Sequence, residues 1–191
     1  SPADALKSIQ LPTGFKAELI AAEPDVVQPI AFTFDERGRI WVVEGNSYPQ
    51  PREVGKGQDR IKILEDQDGD GTFETKKIFC EGLNLVSGIE LGFGGVWVGA
   101  APYLMFIPRD GDVPVALVKE SKGQEVKDAS KQALTPILTN LTTLTQVPGL
   151  NFTAYALLDG WGTQDTHETL NSFIWGPDGW LYGCHGVFTH S

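Results

Sequence analysis

The stretch FIWGPDGWLYGCHG, residues 173–186, decides the fold. An apolar run at 172–175 meets the tetrapeptide Gly176-Pro177-Asp178-Gly179, and a second run at 180–182 leads away from it. Pro177 fixes φ at the second turn position, Asp178 tolerates turn conformations, and Gly179 takes positive φ without steric cost. The pattern predicts a strand, a tight turn and a strand. Two earlier stretches share it, AFTFDERGRIWVVEG at 31–45 and GIELGFGGVWVGA at 88–100. Each has a short strand, a glycine-bearing turn, an aromatic-apolar strand and then a small residue. Trp41, Trp97 and Tyr182 hold the same place in the three copies, 56 and 85 residues apart. With residues 113–150 set aside, the second separation falls to about 50, the spacing of propeller blades. The repeat therefore predicts an all-β chain, a partial β-propeller of about three blades forming one domain over residues 1–191.

Outward from these hairpins, residues 61–65 and 73–79 read as strands around a turn at 66–71, and 103–107 follows the second copy as a further strand. In the opening segment, Phe15, Ala17, Leu19 and Ala21 alternate with Lys16 and Glu18, a half-buried strand pattern broken only by Ile20. Helix is expected in one place. From about 124, Val126, Ala129 and Ala133 fall on one face, and Leu134, Ile137, Leu138 and Leu141 continue the helical period. Pro136 behind Thr135 splits this into two short helices. The segment at about 113–150 is read as a helical insertion between blades, of the kind a surface loop accommodates at small entropic cost.

The chain has 191 residues, 41% hydrophobic, with a net charge of −10, and this acidic field argues against nucleic acid as a partner. No run reaches the length of a membrane span, and none of these residues reads as a basic-apolar-small signal peptide. Cys80 and Cys184 are too few for a disulfide framework; two buried thiols are preferred to one bridge.

All three histidines fall after residue 162. His167 stands in QDTHETLN beside Gln164, Asp165 and Glu168, and Asn171 breaks any HExxH zinc pattern. A neutral imidazole oriented by a carboxylate suits a general base that removes an alcohol proton, while a loop-capping histidine is the plainer alternative. His185 follows Cys184 without the CxxCH needed for haem attachment, and His190 carries no pattern. Asp66, Asp68 and Asp70, with Gly71 and Glu74, have the alternate carboxylates of a calcium turn. Lys77 stands where an EF-hand needs glutamate, so an Asp-Gly turn built for conformation is equally supported. Arg109-Asp110-Gly111-Asp112 is a weaker echo. Glu44 ends the first aromatic strand, as a solvated strand end or facing a central channel. Asn140 and Asn151 begin Asn-x-Thr sequons.

Four stretches, PIAFTFDERGRIWVVEGNSYP (29–49), DRIKILEDQDGDG (59–71), GLNLVSGIELGFGGVWVGAAPYLMFIPRDGD (82–112) and LLDGWGTQDTHETLNSFIWGPDGWLYGCHGVFTHS (157–191), closely resemble the N-terminal propeller of bacterial membrane-bound dehydrogenases of the PVC type. More distantly, the layout is similar to soluble quinoprotein glucose and sorbosone dehydrogenases. Those are six-bladed propellers that use pyrroloquinoline quinone, with a catalytic histidine before a strand and a GPDG-like turn. The resemblance implies a periplasmic or secreted protein, haem-bearing domains outside this chain, and His167 as the catalytic base, with Gln164 and Asp165 positioning it. Three readings follow. The first is a quinone-dependent oxidoreductase acting on a sugar or alcohol, with calcium as a further ligand. The second is a non-catalytic propeller that binds a glycan or a partner protein. The third is a lactonase-type hydrolase in which Glu44, Asp165 and His167 share one divalent ion.

Overall fold

The computed structural model describes residues 1–117, 145–167 and 169–186. The alternation and turn chemistry of 29–83 produce a four-stranded antiparallel meander, β1 (Pro29–Phe34), β2 (Ile40–Glu44), β3 (Asp59–Glu65) and β4 (Thr75–Leu83), in that order across the sheet. At the first turn the Gly38 amide donates to the Asp35 carbonyl at 3.0 Å, and Gly38 sits at φ +77°, which glycine adopts without Cβ strain. The second sheet runs β5 (Val86–Gly92), β6 (Gly95–Ala100), β7 (Tyr103–Asp110), β10 (Tyr155–Asp159), β9 (Thr145–Gln146), with β8 (Val113–Pro114) attached to β7. A third hairpin pairs β11 (Asn171–Trp175) with β12 (Leu181–Cys184). The described part of the chain is thus all-β apart from one short helix, and every sheet is antiparallel, its strands pairing with sequence neighbours except where β10 returns to β7.

The segment between β7 and β10 leaves and returns at one place. Ala116 bridges Phe152, and the Thr153 amide donates to the Val115 carbonyl at 2.8 Å. The helices predicted from 124 onward lie outside the described residues.

Packing follows the alternation of side chains. Trp41, Val43, Ile61 and Ile63 on the first sheet meet Val96, Val98, Met105 and Ile107 on the second, forming the main core. The opposite face of the second sheet buries Trp97, Phe106 and Tyr155 under Trp175 and Leu181 of the third hairpin. The outer face of the first sheet buries Ile40, Val42 and Leu64 under Val26 and Ala21. The leading strands β1, β5 and β11 lie side by side, β5 in contact with both others. Glycines permit the second approach: a Cβ on Gly99 would lie 2.4 Å from the Leu170 carbonyl oxygen, and one on Gly88 2.8 Å from the Phe173 ring.

The three hairpins share two further details. Each has a β-bulge where its leading strand begins, between Pro29 and Ala31, Val86 and Gly88, and Asn171 and Ile174. In each, the aromatic residue of the second strand donates back to the turn: Trp41 Nε1 to Asp35 Oδ2 at 3.0 Å, Trp97 Nε1 to the Gly92 carbonyl at 3.3 Å, and Tyr182 Oη to Asp178 Oδ2 at 2.6 Å.

Two expectations fail in the opening segment. A helix, α1 (Pro2–Ser8), occupies its start, with Ser1 and Asp4 forming a capping box and Pro2 in the first turn. Residues 15–21 form no strand; Phe15 is 73% exposed, because no neighbouring strand pairs with the alternating pattern. The cysteines also part company. Cys80 is buried, which pushes its thiol pKa up, whereas Cys184 is exposed, and both are free. No helix among the described residues is long and apolar enough to cross a membrane.

Candidate functional site

The loop that carries His167 is tied down just before β11. Leu170 is buried, and its carbonyl accepts from Ser87 Oγ at 2.7 Å, fixing the loop against β5. Within the loop, Asp165 Oδ1 accepts from the His167 amide and also meets His167 Nδ1, each at 3.0 Å. These contacts, the amide first, hold the Asp165 carboxyl below its ordinary pKa. On the other side of the ring, Tyr48 Oη lies 2.6 Å from His167 Nε2, with the two rings edge to face at 5.5 Å. Both imidazole nitrogens are therefore engaged. A proton on Nδ1 facing the carboxylate leaves Nε2 to accept from the tyrosine hydroxyl. The result is a chain Asp165–His167–Tyr48 that opens to solvent: the His167 side chain is 73% exposed and Tyr48 is also exposed.

Tyr48 belongs to the loop after β2, whose placement rests on a buried carboxylate. Asp59 accepts from the Ser47 amide and, at 2.8 Å, from the Val86 amide, joining the Tyr48 loop to the start of β5. Ser47 Oγ in turn accepts from the Gln58 amide at 3.0 Å. Burial raises the Asp59 pKa, and the amides offset it only in part.

Of the residues singled out in the sequence, Asp165 comes onto His167 and Gln164 does not. Gln164 folds back over Gly162 and makes no hydrogen bond among the described residues. Glu168 and His190 lie outside the described residues, and His185 sits just past β12. Tyr48 and Asp59 escaped sequence reading. Tyr48 is 119 residues from His167, and its only signal was its place near the start of the loop that follows the first aromatic strand.

Glu44 corrects both of its expected roles. It is fully buried, neither solvated nor facing a channel, beneath residues 25–27. Its oxygens accept from the Val27 amide and Lys62 Nζ, both at 2.8 Å, and from Arg60 Nε. The ligand set of a lactonase, Glu44 with Asp165 and His167, is not assembled. Burial pushes the Glu44 pKa up, but Lys62, Arg60 and the Val27 amide outweigh it, and the net displacement is downward.

The loop of Asp66, Asp68, Asp70 and Glu74 brings one carboxylate oxygen from each within 4.8 Å of the others, a set with the oxygen chemistry of a hard cation. The same carboxylates cap the loop backbone. Asp66 accepts from the Gly69 amide at 2.7 Å and the Gly71 amide at 2.8 Å, Asp70 from Thr72 at 2.7 Å, and Asp68 from Asp70 at 3.2 Å. These bonds account for the aspartates as turn formers. Asp112 of the weaker echo serves structure as well. It accepts from Arg39 Nη1 at 2.7 Å, which links the two large sheets through the buried Arg39–Asp35 pair.

The described residues form an all-β protein of stacked antiparallel meanders, with a carboxylate–imidazole–phenol chain at one end. By sequence, residues 1–127 match the family described as Domain of unknown function (DUF7133), and the chain belongs to that family. No curated protein and no solved structure matches the chain.

Proposed function

We propose that the three sheets are consecutive blades of a β-propeller of the PVC-type dehydrogenase kind, and that Asp165, His167 and Tyr48 form its proton-accepting group in an oxidation of a sugar or other alcohol. The blade reading is supported by the side-by-side leading strands, by the repeated bulge and by the repeated bond from aromatic residue to turn. The functional reading is carried by one observation: His167 is held at Nδ1 by a carboxylate and presents Nε2 to a hydroxyl that is open to solvent. A substrate hydroxyl at Tyr48 Oη delivers its proton there as the tyrosine proton passes to Nε2, and Asp165 stabilises the resulting imidazolium. A hydride acceptor is also required. Pyrroloquinoline quinone carries carboxylates that call for cationic partners, yet neither Tyr48 nor His167 is paired with a lysine or arginine among the described residues. These residues do not fit that cofactor, so the proton transfer is assigned and the hydride step is not.

A second reading, a propeller that binds a glycan without turnover, is favoured by the openness of the same group. The two separate in one experiment. Dye reduction by the full-length protein is measured over a panel of sugars and alcohols, with and without added quinone, alongside glycan binding. The dehydrogenase reading expects turnover that His167→Ala abolishes and Tyr48→Phe lowers through kcat with an altered pH profile. Saturable glycan binding that ignores His167→Ala, with no turnover across the panel, would overturn it.

A further inference from the structure

The leading strands have a second end, away from His167. There Phe34, Glu36, Glu90, Phe93, Arg109 and Trp175 surround a cavity of about 440 Å³ between the two large sheets and the third hairpin. Three observations set its chemistry.

First, Phe93 occupies a backbone position ill suited to it. It and Gly94 are the central residues of the two-residue turn between β5 and β6, at φ +55° and +78°, where asparagine or glycine is favoured at the first position. A bulky residue in the left-handed region is strained, and such strain persists where the surroundings hold it in place. Here it sets a half-exposed ring at the cavity wall, 5.0 Å from the Trp175 ring and 70° to it.

Second, the indole is fixed and presents its ring rather than its N–H. Trp175 Nε1 donates to the Leu91 carbonyl at 2.7 Å, and a Cβ on Gly92 would lie 2.9 Å from that nitrogen.

Third, one charge is uncompensated. Asp35 is paired with Arg39, and Glu36 lies 3.7 Å from Arg109. Glu90 has no cation among the described residues; its Oε1 accepts from Thr33 Oγ1 at 3.0 Å and the Leu91 amide at 2.8 Å, leaving Oε2 unused. Of the Arg109 nitrogens, Nη1 bonds the Gly111 carbonyl at 3.1 Å, Nη2 faces Glu36, and Nε is sealed from solvent without a hydrogen-bond partner.

Aromatic faces and a carboxylate without a cation suit a ligand cation that needs no acceptor in return. We infer that this cavity binds an organic monocation of the methylated-ammonium class, with the ammonium against the edge-to-face pair of Phe93 and Trp175 and Glu90 as its counter-ion. The site is independent of the His167 group.

Tryptophan fluorescence and NMR titrations of the full chain test it, using choline and tetramethylammonium as probes. Controls are the neutral isostere of choline, in which carbon replaces nitrogen, and glucose. Saturable binding of both ammonium probes is expected, with the isostere weaker by at least about tenfold. Glu90→Gln, which keeps an acceptor for Thr33 and Leu91, and Phe93→Gly, which relieves the backbone, are each expected to weaken binding by about tenfold or more. His167→Ala should leave it unchanged. No saturable ammonium binding, equal binding of the isostere or glucose, or native-like binding by either cavity variant would overturn the inference.

Discussion

Replacing Glu44 by glutamine removes one charge from a fully buried group that holds two cations. Lys62 Nζ and the Val27 amide both lie 2.8 Å from Oε1, and Arg60 Nε bonds Oε2. Whichever way the amide is turned, its NH2 faces one of the cations. Breaking one side of a buried ion pair costs about 3–5 kcal/mol. The Arg60 side chain is 28% exposed and regains water, so the lower end applies, about 3 kcal/mol. In a chain of this size that corresponds to a fall in Tm of about 6–12 °C at pH 7. The sign of the pH dependence follows from the lowered folded pKa. The carboxylate contributes stability above the ordinary glutamate pKa of about 4.3, and loses it as pH falls through the folded value. The gap between native protein and Glu44→Gln should therefore close toward pH 3. Thermal unfolding followed by circular dichroism at pH 7, 5 and 3 measures it. A Tm difference under about 2 °C at pH 7, or one that stays constant down to pH 3, would refute the assignment of Glu44 as a buried counter-ion.

Two other perturbations probe the frame around His167. Gly99→Ala drives a Cβ into the Leu170 carbonyl and the Phe173 ring, and is expected to cost about 1–3 kcal/mol while raising hydrogen exchange across β11 and β12; unchanged exchange there would contradict the close packing. Asp59 titrates in the opposite sense to Glu44: its folded pKa is raised, so its contribution falls as pH rises through the carboxylate range, and Asp59→Asn should lose less stability between pH 4 and pH 7 than the native chain, a result that parallel denaturation curves would exclude.

The hairpins were legible because turn chemistry and alternation are local. Gly38 and Gly179 sit at positive φ in the turns, and Trp41 and Trp97, which share a place in the repeat, are both buried. Tyr182 holds the same place yet is exposed, since in the third hairpin it is Trp175 and Leu181 that cover the sheet beside it. The alternation at 15–21 misled because period two marks a strand only when another strand pairs with it. The helix at the start was signalled by Ser1, Pro2 and Asp4 but is too short to show a periodic face. The fate of Glu44 was in principle readable from Arg60 and Lys62, which alternate onto one face of β3, but only once the register placing Glu44 opposite Arg60 is known. The partnership of Tyr48 with His167 depends on how loops from separate sheets meet, and no pattern within either segment encodes it.

The glycines at 88 and 99 carry a consequence for how the chain is assembled during synthesis. They leave a bare strip on the second sheet that receives the third hairpin, while the contacts inside each sheet join mostly neighbouring strands. A chain growing from its N-terminus can complete each sheet soon after it emerges, and each finished sheet becomes the template for the next. Tyr48 is then waiting in place well before His167 has been translated.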